Sequence, residues 1–461
     1  MAVSVDSRGQ WGSKFGFVMA AAGSAVGLGN IWRFPYITGQ NGGGAFVLLY
    51  LACVLLIGVP LLFTEMGLGR ATKKSTIGAF RDTGGGVFWT GAGALLALGV
   101  SFFVLSYYGV IAGWTIGYIG KMLAGTSGNF NEFAANPYAS IPLMGAFTIV
   151  TIVIVIGGIS GGIEKAAKIL MPVLFVLIFA VALRALTLDG AMAGVEFYLK
   201  PDFSKITANS VLAALGQAFF SMSIGWGIMV TYGSYLPKSS NLVSSGVWVG
   251  LMDTGVALLA GLMIFPAVFA FGKSPEAGPT LVFQVLPEIF SSMPGGTIVG
   301  ALFFLLLTVA ALTSSISMLE VPASYFIDEK KWSRKKAAIV VGVLVFIVGI
   351  PSALSHGGSD MFTNMSINVF GSEVEGFQGI VDYWFGTFFI VVVALVTCVY
   401  VAWKLPISTI VNEMAEGSEG TFEADSWKSK TFVFFIRYIG PIVITAVLLN
   451  MMGVFGIFAG A

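Results

Sequence analysis

Five ionisable residues, Arg33, Glu65, Asp253, Glu320 and Asp382, fall inside long apolar runs. Charge at membrane depth is costly, so each marks an ion path, a proton relay or an interhelical bond. Asp253 stands farthest from any polar stretch. In another run Thr313, Ser317, Glu320 and Ser324 recur at helical spacing with Ala310 and Ser314 beside them, so one helix face carries hydroxyls. Hard cations such as sodium prefer oxygen donors, and hydroxyls facing backbone carbonyls can cage an alkali ion. Alone, such a face more often glues helices together. Other chemistries lack residues. The chain has one histidine, His356, and two cysteines, Cys53 and Cys398, both in apolar runs. Zinc hydrolysis, a disulfide framework and His-based catalysis are therefore not expected.

A second pattern involves glycine, which makes up 60 of 461 residues, about twice the usual share. Most of it suits close helix packing and turns. Two clusters do not: Ser24-Ala25-Val26-Gly27-Leu28-Gly29-Asn30 and Ser221-Met222-Ser223-Ile224-Gly225-Trp226-Gly227. Each glycine pair costs a helix about 2 kcal/mol, at a depth where unpaired backbone finds no water. An unwound turn frees carbonyls for cations, and the half-helix beyond it presents N–H groups to an anion.

These features need elements to hold them. Charged residues are only 10% of the chain and hydrophobic ones 56%, with 39 Phe, too little polar surface for soluble domains. Runs of about 20 apolar residues recur near 15–38, 45–69, 88–123, 140–158, 165–188, 208–235, 243–271, 296–327, 335–354, 379–404 and 431–458. The expected fold is an all-α polytopic membrane protein of 11 transmembrane helices. The two glycine clusters fall in the first and sixth spans, equivalent places in two units of five. An odd number of spans inverts the second unit, giving a 5+5 inverted repeat with helices 1 and 6 broken, the pattern that points to a secondary transporter's binding site. The expected segments are 1–14 cytoplasmic, 15–190 and 208–404 as the two repeats, 405–430 a cytoplasmic loop, and 431–461 the eleventh helix and extracellular C-terminus. Residues 355–378 and 405–430 read as ordinary loops. With the N-terminus cytoplasmic, eighteen of the 24 basic residues face inward and five outward, with Arg33 in the first span, which orients the protein in the cell membrane. A net charge of +1 gives no case for nucleic acid as a partner.

The stretch Gly23-Ser24-Ala25-Val26-Gly27-Leu28-Gly29-Asn30-Ile31-Trp32-Arg33-Phe34-Pro35, followed by Asn41-Gly42-Gly43-Gly44-Ala45-Phe46, resembles the first-helix signature of the neurotransmitter:sodium symporters. The likeness continues through Gly58, Pro60, Glu65, Gly69 and Arg70, then Tyr107-Tyr108, Gly162 and Pro172. It resumes at Gln217, Phe219-Phe220-Ser221, Leu312-Thr313-Ser314-Ser315 and Asp382-Tyr383-Trp384, covering Arg8 to about Pro441. The resemblance implies sodium-coupled amino acid symport by alternating access, with two sodium sites and no enzymatic activity. It places the substrate carboxylate at the N–H groups of Leu28 and Gly29 and the Tyr108 hydroxyl. The amine goes to carbonyls of Ala25, Phe220 and Ser221 and the Ser223 hydroxyl. Val104, Gly27, Trp226, Ser314 and Met318 complete the pocket. One sodium is assigned to Ala25, Asn30, Ser221 and Asp253, and the other to Gly23, Val26, Ala310, Thr313 and Ser314. Arg33 and Asp382 resemble an outer ion pair over a lid of Tyr108 and Phe220. Arg8 and Asp328 resemble an inner pair, supported by Trp11, Ser234 and Tyr235. Gly162 and Pro172 resemble a motif where the fifth span can unwind.

Departures from the family pattern sharpen the expectations. Asp253 stands where many members have Asn, and Ala257 where others have Glu or a chloride-binding Ser, so the Asp253 carboxylate is expected to replace chloride. Tyr50, Gln217 and Ser221 nevertheless match other chloride-site positions. Trp226 replaces a smaller ring and favours a small substrate, glycine or alanine, over a larger hydrophobic or aromatic one. Ser221 for Thr keeps the hydroxyl, and many relatives have twelve spans. A channel or a sensory receptor on the same fold is the alternative class. A channel would favour a continuous hydrophilic pore, and a receptor an added cytoplasmic domain.

Overall fold

With no water to satisfy backbone N–H and C=O groups, apolar runs in a bilayer close their hydrogen bonds internally as helices. The computed structural model describes residues 8–126, 128–275 and 281–454, and its helices follow the apolar runs. Residues 1–7 of the expected N-terminal segment and 455–461 at the expected extracellular end lie outside the described residues. The principal helices are α1 (Lys14–Ala25), α2 (Gly29–Gln40), α3 (Gly44–Thr72), α4 (Gly86–Leu123), α5 (Pro137–Ile156) and α6 (Ile159–Leu186). They continue as α7 (Ala208–Ser221), α8 (Ile228–Ser234), α9 (Leu242–Ala270), α10 (Gly296–Lys330), α11 (Arg334–Leu354), α12 (Phe377–Lys404), α13 (Ile407–Ala415) and α14 (Trp427–Met451).

Among the described residues, nine helices are long and apolar enough to cross a membrane, and α1 with α2, bent by 48° at their break, are long and apolar enough as a pair. The expected sixth span is split more deeply. Its halves, α7 and α8, are separated by Met222–Gly227, and neither is long enough alone. At the centre α10 lies along α4, with α1 against α9, α10 and α6, and α8 against α3. The long faces of α5, α6 and α14 that carry Val153, Phe179 and Ile442 are exposed, as lipid-facing surface requires.

Two stretches expected as loops hold regular structure. Residues 355–378 contain a short helix, Asp360–Thr363, and an antiparallel hairpin pairing Ser366–Val369 with Ser372–Glu375. Residues 405–430 contain α13, whose Ile407, Ile410, Val411 and Met414 are buried at helical spacing. A single nine-residue amphipathic turn pair is too short to stand out from loop sequence, but here it packs on α3. Its Glu413 meets the fully buried Arg70, whose Nε lies 2.9 Å from Oε2. Arg70 also donates to the carbonyls of Ser240 at 2.6 Å and Glu416 at 3.2 Å. Removing one partner of a buried ion pair strands the other charge, so Arg70→Ala should cost about 3–5 kcal/mol. Thermal unfolding in detergent checks this, and a melting temperature equal to the parent's would show that the network is dispensable.

Candidate functional site

The two helix breaks meet at the middle of the bundle, but they break for different physical reasons. Between α7 and α8, Ser223, Gly225 and Gly227 have φ of +54°, +84° and +73°. Left-handed backbone cannot continue a right-handed helix, and glycine takes it freely. Gly225 is also pressed against the Ile390 carbonyl, where a Cβ would collide. Between α1 and α2, by contrast, Gly27 and Gly29 have no positive φ, and here glycine supplies space. A Cβ on Gly27 would run into the Ser314 hydroxyl and come within 3.0 Å of the Tyr108 hydroxyl, and one on Gly29 would sit 2.9 Å from the Phe220 ring.

Side chains from neighbouring helices and from the broken spans themselves take up the backbone groups that the breaks release. Glu65 Oε1 accepts the Gly225 N–H at 2.8 Å, and the Trp226 carbonyl accepts the Ser101 hydroxyl at 2.6 Å. The Leu28 N–H donates to the Tyr108 oxygen at 3.3 Å, and the Gly27 N–H to Asn30 Oδ1 at 3.1 Å. The Ser24 carbonyl accepts both Ser223 at 3.2 Å and Ser314 at 3.1 Å. Ser24 was not singled out by its type, yet its hydroxyl lies 2.6 Å from that of Ser317. Its place inside the first glycine cluster was the available signal.

These residues enclose a cavity of about 20 Å³ lined by Ala25, Gly27, Gly29, Tyr108, Phe220, Ser223, Trp226, Ser314 and Met318, with Ser24. Val104 and Ser221 are buried but do not line it, and Leu28 lines the next cavity instead. That second cavity, of about 150 Å³, is walled by Arg33, Asp382, Tyr107 and Gln378 and reaches Tyr108 and Phe220. Arg33 and Asp382 share its wall without forming an ion pair: the Arg33 guanidinium lies 4.5 Å from the Phe220 ring centroid, and Asp382 accepts the Tyr107 hydroxyl at 2.5 Å.

Beside the small cavity lie two oxygen-rich clusters. In the first, the fully buried Asp253 accepts Asn30 Nδ2 at 2.7 Å and Ser221 Oγ at 2.9 Å, with the Tyr50 hydroxyl 3.4 Å away. Among the described residues no Lys, Arg or His pairs with it. In the second, the Thr313 hydroxyl lies 2.9 Å from the Ala310 carbonyl and 3.4 Å from that of Val26. Ser314 Oγ is 3.4 Å from the Val26 carbonyl and 3.5 Å from that of Gly23. Oxygen sets without thiolate or imidazole suit alkali ions better than transition metals.

At the opposite end of the bundle a polar network ties the segment before α1 to α8 and α10. Arg8 Nε lies 2.7 Å from Asp328 Oδ1, its guanidinium donates to Ser234 at 3.2 Å and lies over the Tyr235 ring at 4.9 Å. Trp11 Nε1 donates to the Tyr232 carbonyl at 3.0 Å. Tyr235 in turn donates to Glu320, which holds Arg334 at 2.7 Å. Glu320 is recognisable in the sequence as an intramembrane charge, but its pairing with Arg334 depends on the fold.

Comparison with known proteins follows the same lines. Residues 8–128 and 133–456 match the model of the sodium:neurotransmitter symporter family. YhdH, a sodium-dependent transporter of Bacillus subtilis, is 41% identical over 456 residues, covering 96% of this chain and 98% of that protein. A sodium-dependent transporter of Haemophilus influenzae is 37% identical, covering 98% of this chain and 99% of its own. The crystal structure of MhsT in complex with L-phenylalanine superposes with a TM-score of 0.87 at 42% identity, covering 96% of this chain and all of that one.

Proposed function

The chain belongs to the sodium:neurotransmitter symporter family and is a sodium-dependent membrane transporter rather than an enzyme, and from that premise we propose that it carries a neutral amino acid together with sodium by alternating access. The observation that carries this reading is the meeting of both helix breaks at one cavity flanked by two cation-type oxygen clusters. The substrate carboxylate lies against Leu28, Gly29 and Tyr108, and its amine against the carbonyls of Ala25, Phe220 and Ser221 and the hydroxyl of Ser223. One sodium is held by Ala25, Asn30, Ser221 and Asp253 and touches the substrate carboxylate. The second is held by Gly23, Val26, Ala310, Thr313 and Ser314. A shared ligand makes the coupling reciprocal: each cargo raises the affinity for the other. Asp253 supplies the local negative charge, so transport needs no chloride. Arg8 with Asp328 closes one end, and the cavity walled by Arg33 and Asp382 leads from the other.

Two substrate readings have support. The phenylalanine in the MhsT structure, with the Phe220 and Trp226 rings 5.4 Å apart at this site, favours a large hydrophobic or aromatic side chain, and we put this first. The cavity of only about 20 Å³ beside Trp226 favours glycine or alanine. Purified protein in liposomes should take up labelled amino acid only with an inward sodium gradient, equally in chloride and gluconate. In a competition panel, phenylalanine and leucine should block uptake more strongly than glycine and alanine. The reverse order selects the small-substrate reading, and uptake without sodium would sink both.

A further inference from the structure

The inner end of α1 is held from two sides. Arg8 and Trp11 tie it to α8 and α10. On the other side stands Glu164, which is 2% exposed and lies in the first turn of α6. Its Oε2 accepts the Gly12 N–H at 2.6 Å, and its Oε1 accepts the Ser13 hydroxyl at 2.8 Å and Lys168 Nζ at 2.6 Å. Ser13 caps α1 by accepting the Gly16 N–H at 3.0 Å, so the carboxylate sits where the helix dipole is positive. Gly16 has no side chain because Glu164 occupies the space a Cβ would fill.

The turn that carries Glu164 is weakly built. Ile159–Glu164 is a π-helical turn containing Gly161 and Gly162, entered through Gly157 and through Gly158 at φ +82°. Farther along the same contact between α1 and α6, Met171 packs on Gly23, with its sulfur 3.1 Å from where a Cβ would stand. Thus α6 covers the second oxygen cluster, and the Glu164 contacts hold that cover at its loosest end.

We infer that Glu164 is a positioning residue that fastens the start of α1 to the glycine-rich turn of α6, so that the inner end of α1 and this turn release together and the second sodium stays covered until they do. This rests on the alternating-access reading above. Charge-assisted contacts to Gly12 and Ser13 strengthen the closed arrangement. Their loss shifts the balance toward the open one without touching a sodium ligand.

Ala167, one turn beyond Glu164 and 4% exposed, provides a reporter on the same face of α6. In protein carrying Ala167→Cys with Cys53→Ala and Cys398→Ala, labelling by a polar maleimide is followed in sodium and in choline. Sodium should slow labelling in this parent. Glu164→Ala should abolish that protection, raise the rate in sodium about tenfold, and raise the sodium concentration for half-maximal uptake. Glu164→Gln keeps an acceptor but loses the charge and should fall between. Folding is monitored by thermal unfolding, and if the alanine variant does not fold the glutamine variant decides. Parental protection in folded Glu164→Gln and Glu164→Ala overturns the role of Glu164. A parent that sodium does not protect overturns the alternating-access reading instead.

Discussion

Replacing Asp253 by Asn is expected to weaken sodium about a hundredfold, and to make the residual uptake respond to chloride. Asp253 is fully buried, its carboxylate is surrounded by Asn30, Ser221 and Tyr50, and no cationic side chain pairs with it among the described residues. A buried carboxylate without a counter-charge costs several kcal/mol even when hydrogen-bonded. A sodium ion in contact repays that cost. At an effective dielectric near 20, two charges about 4 Å apart attract by about 4 kcal/mol, and losing two-thirds of this is about a hundredfold in affinity. The amide of Asn keeps the shape and drops the charge. Tyr50 and Ser221 then remain as hydroxyl donors facing a position that has lost the protein's own anion, so chloride becomes the natural replacement. Sodium titrations of uptake in chloride and in gluconate measure both effects. Unchanged sodium affinity in the variant, or a chloride requirement already present in the parent, would remove Asp253 from its role.

The second large effect is expected from Thr313→Ala combined with Ser314→Ala. Both hydroxyls sit on α10 and face carbonyls of α1 that the helix break has left without helical partners. Removing them deletes two of five proposed sodium donors and their contacts to the Gly23, Ser24 and Val26 carbonyls, while the contact between the Ser24 and Ser317 hydroxyls remains. Sodium that binds only the folded protein raises its stability, by about 2.7 kcal/mol at a hundredfold excess over its dissociation constant. The parent should therefore melt at a higher temperature in sodium than in choline. The double variant should lose most of that shift and most sodium-driven uptake, whereas Thr313→Ser, which keeps the hydroxyl, should retain both. A double variant still stabilised by sodium to the parental extent would place the second ion elsewhere.

The helices were legible because a bilayer imposes one demand, about 20 apolar residues per crossing, and this chain meets it plainly in runs such as 140–158 and 335–354. The two breaks were legible because glycine pairs at membrane depth are expensive. The cause of each break was not, since sequence cannot separate a glycine needed for φ, as at Gly225, from one needed for space, as at Gly27. Most members of the oxygen clusters could be named from the family signature because Gly23, Ala25, Val26, Asn30, Ser221, Thr313 and Ser314 lie in contiguous motifs. Contacts between distant segments stayed hidden: Glu164 with Gly12, Arg70 with Glu413, and Glu65 with Gly225. The contacts of Arg33 with Phe220 and of Asp382 with Tyr107 were also unreadable, because the ion pair that the family resemblance implies competes with partners set by packing.

The left-handed residues of Met222–Gly227 also bear on affinity. Fixing the backbone of one residue costs about 1–2 kcal/mol, so ordering a slack six-residue connection on ligand arrival would cost on the order of 10 kcal/mol. A micromolar ligand has only about 8 kcal/mol of binding free energy in total. A loose loop in this place would consume all of it. With Ser223, Gly225 and Gly227 fixed in left-handed geometry, and with Gly225 and Trp226 bonded to Glu65 and Ser101, that entropy is already spent in folding. A small ligand, such as the proposed amino acid, can then be held tightly enough to be carried.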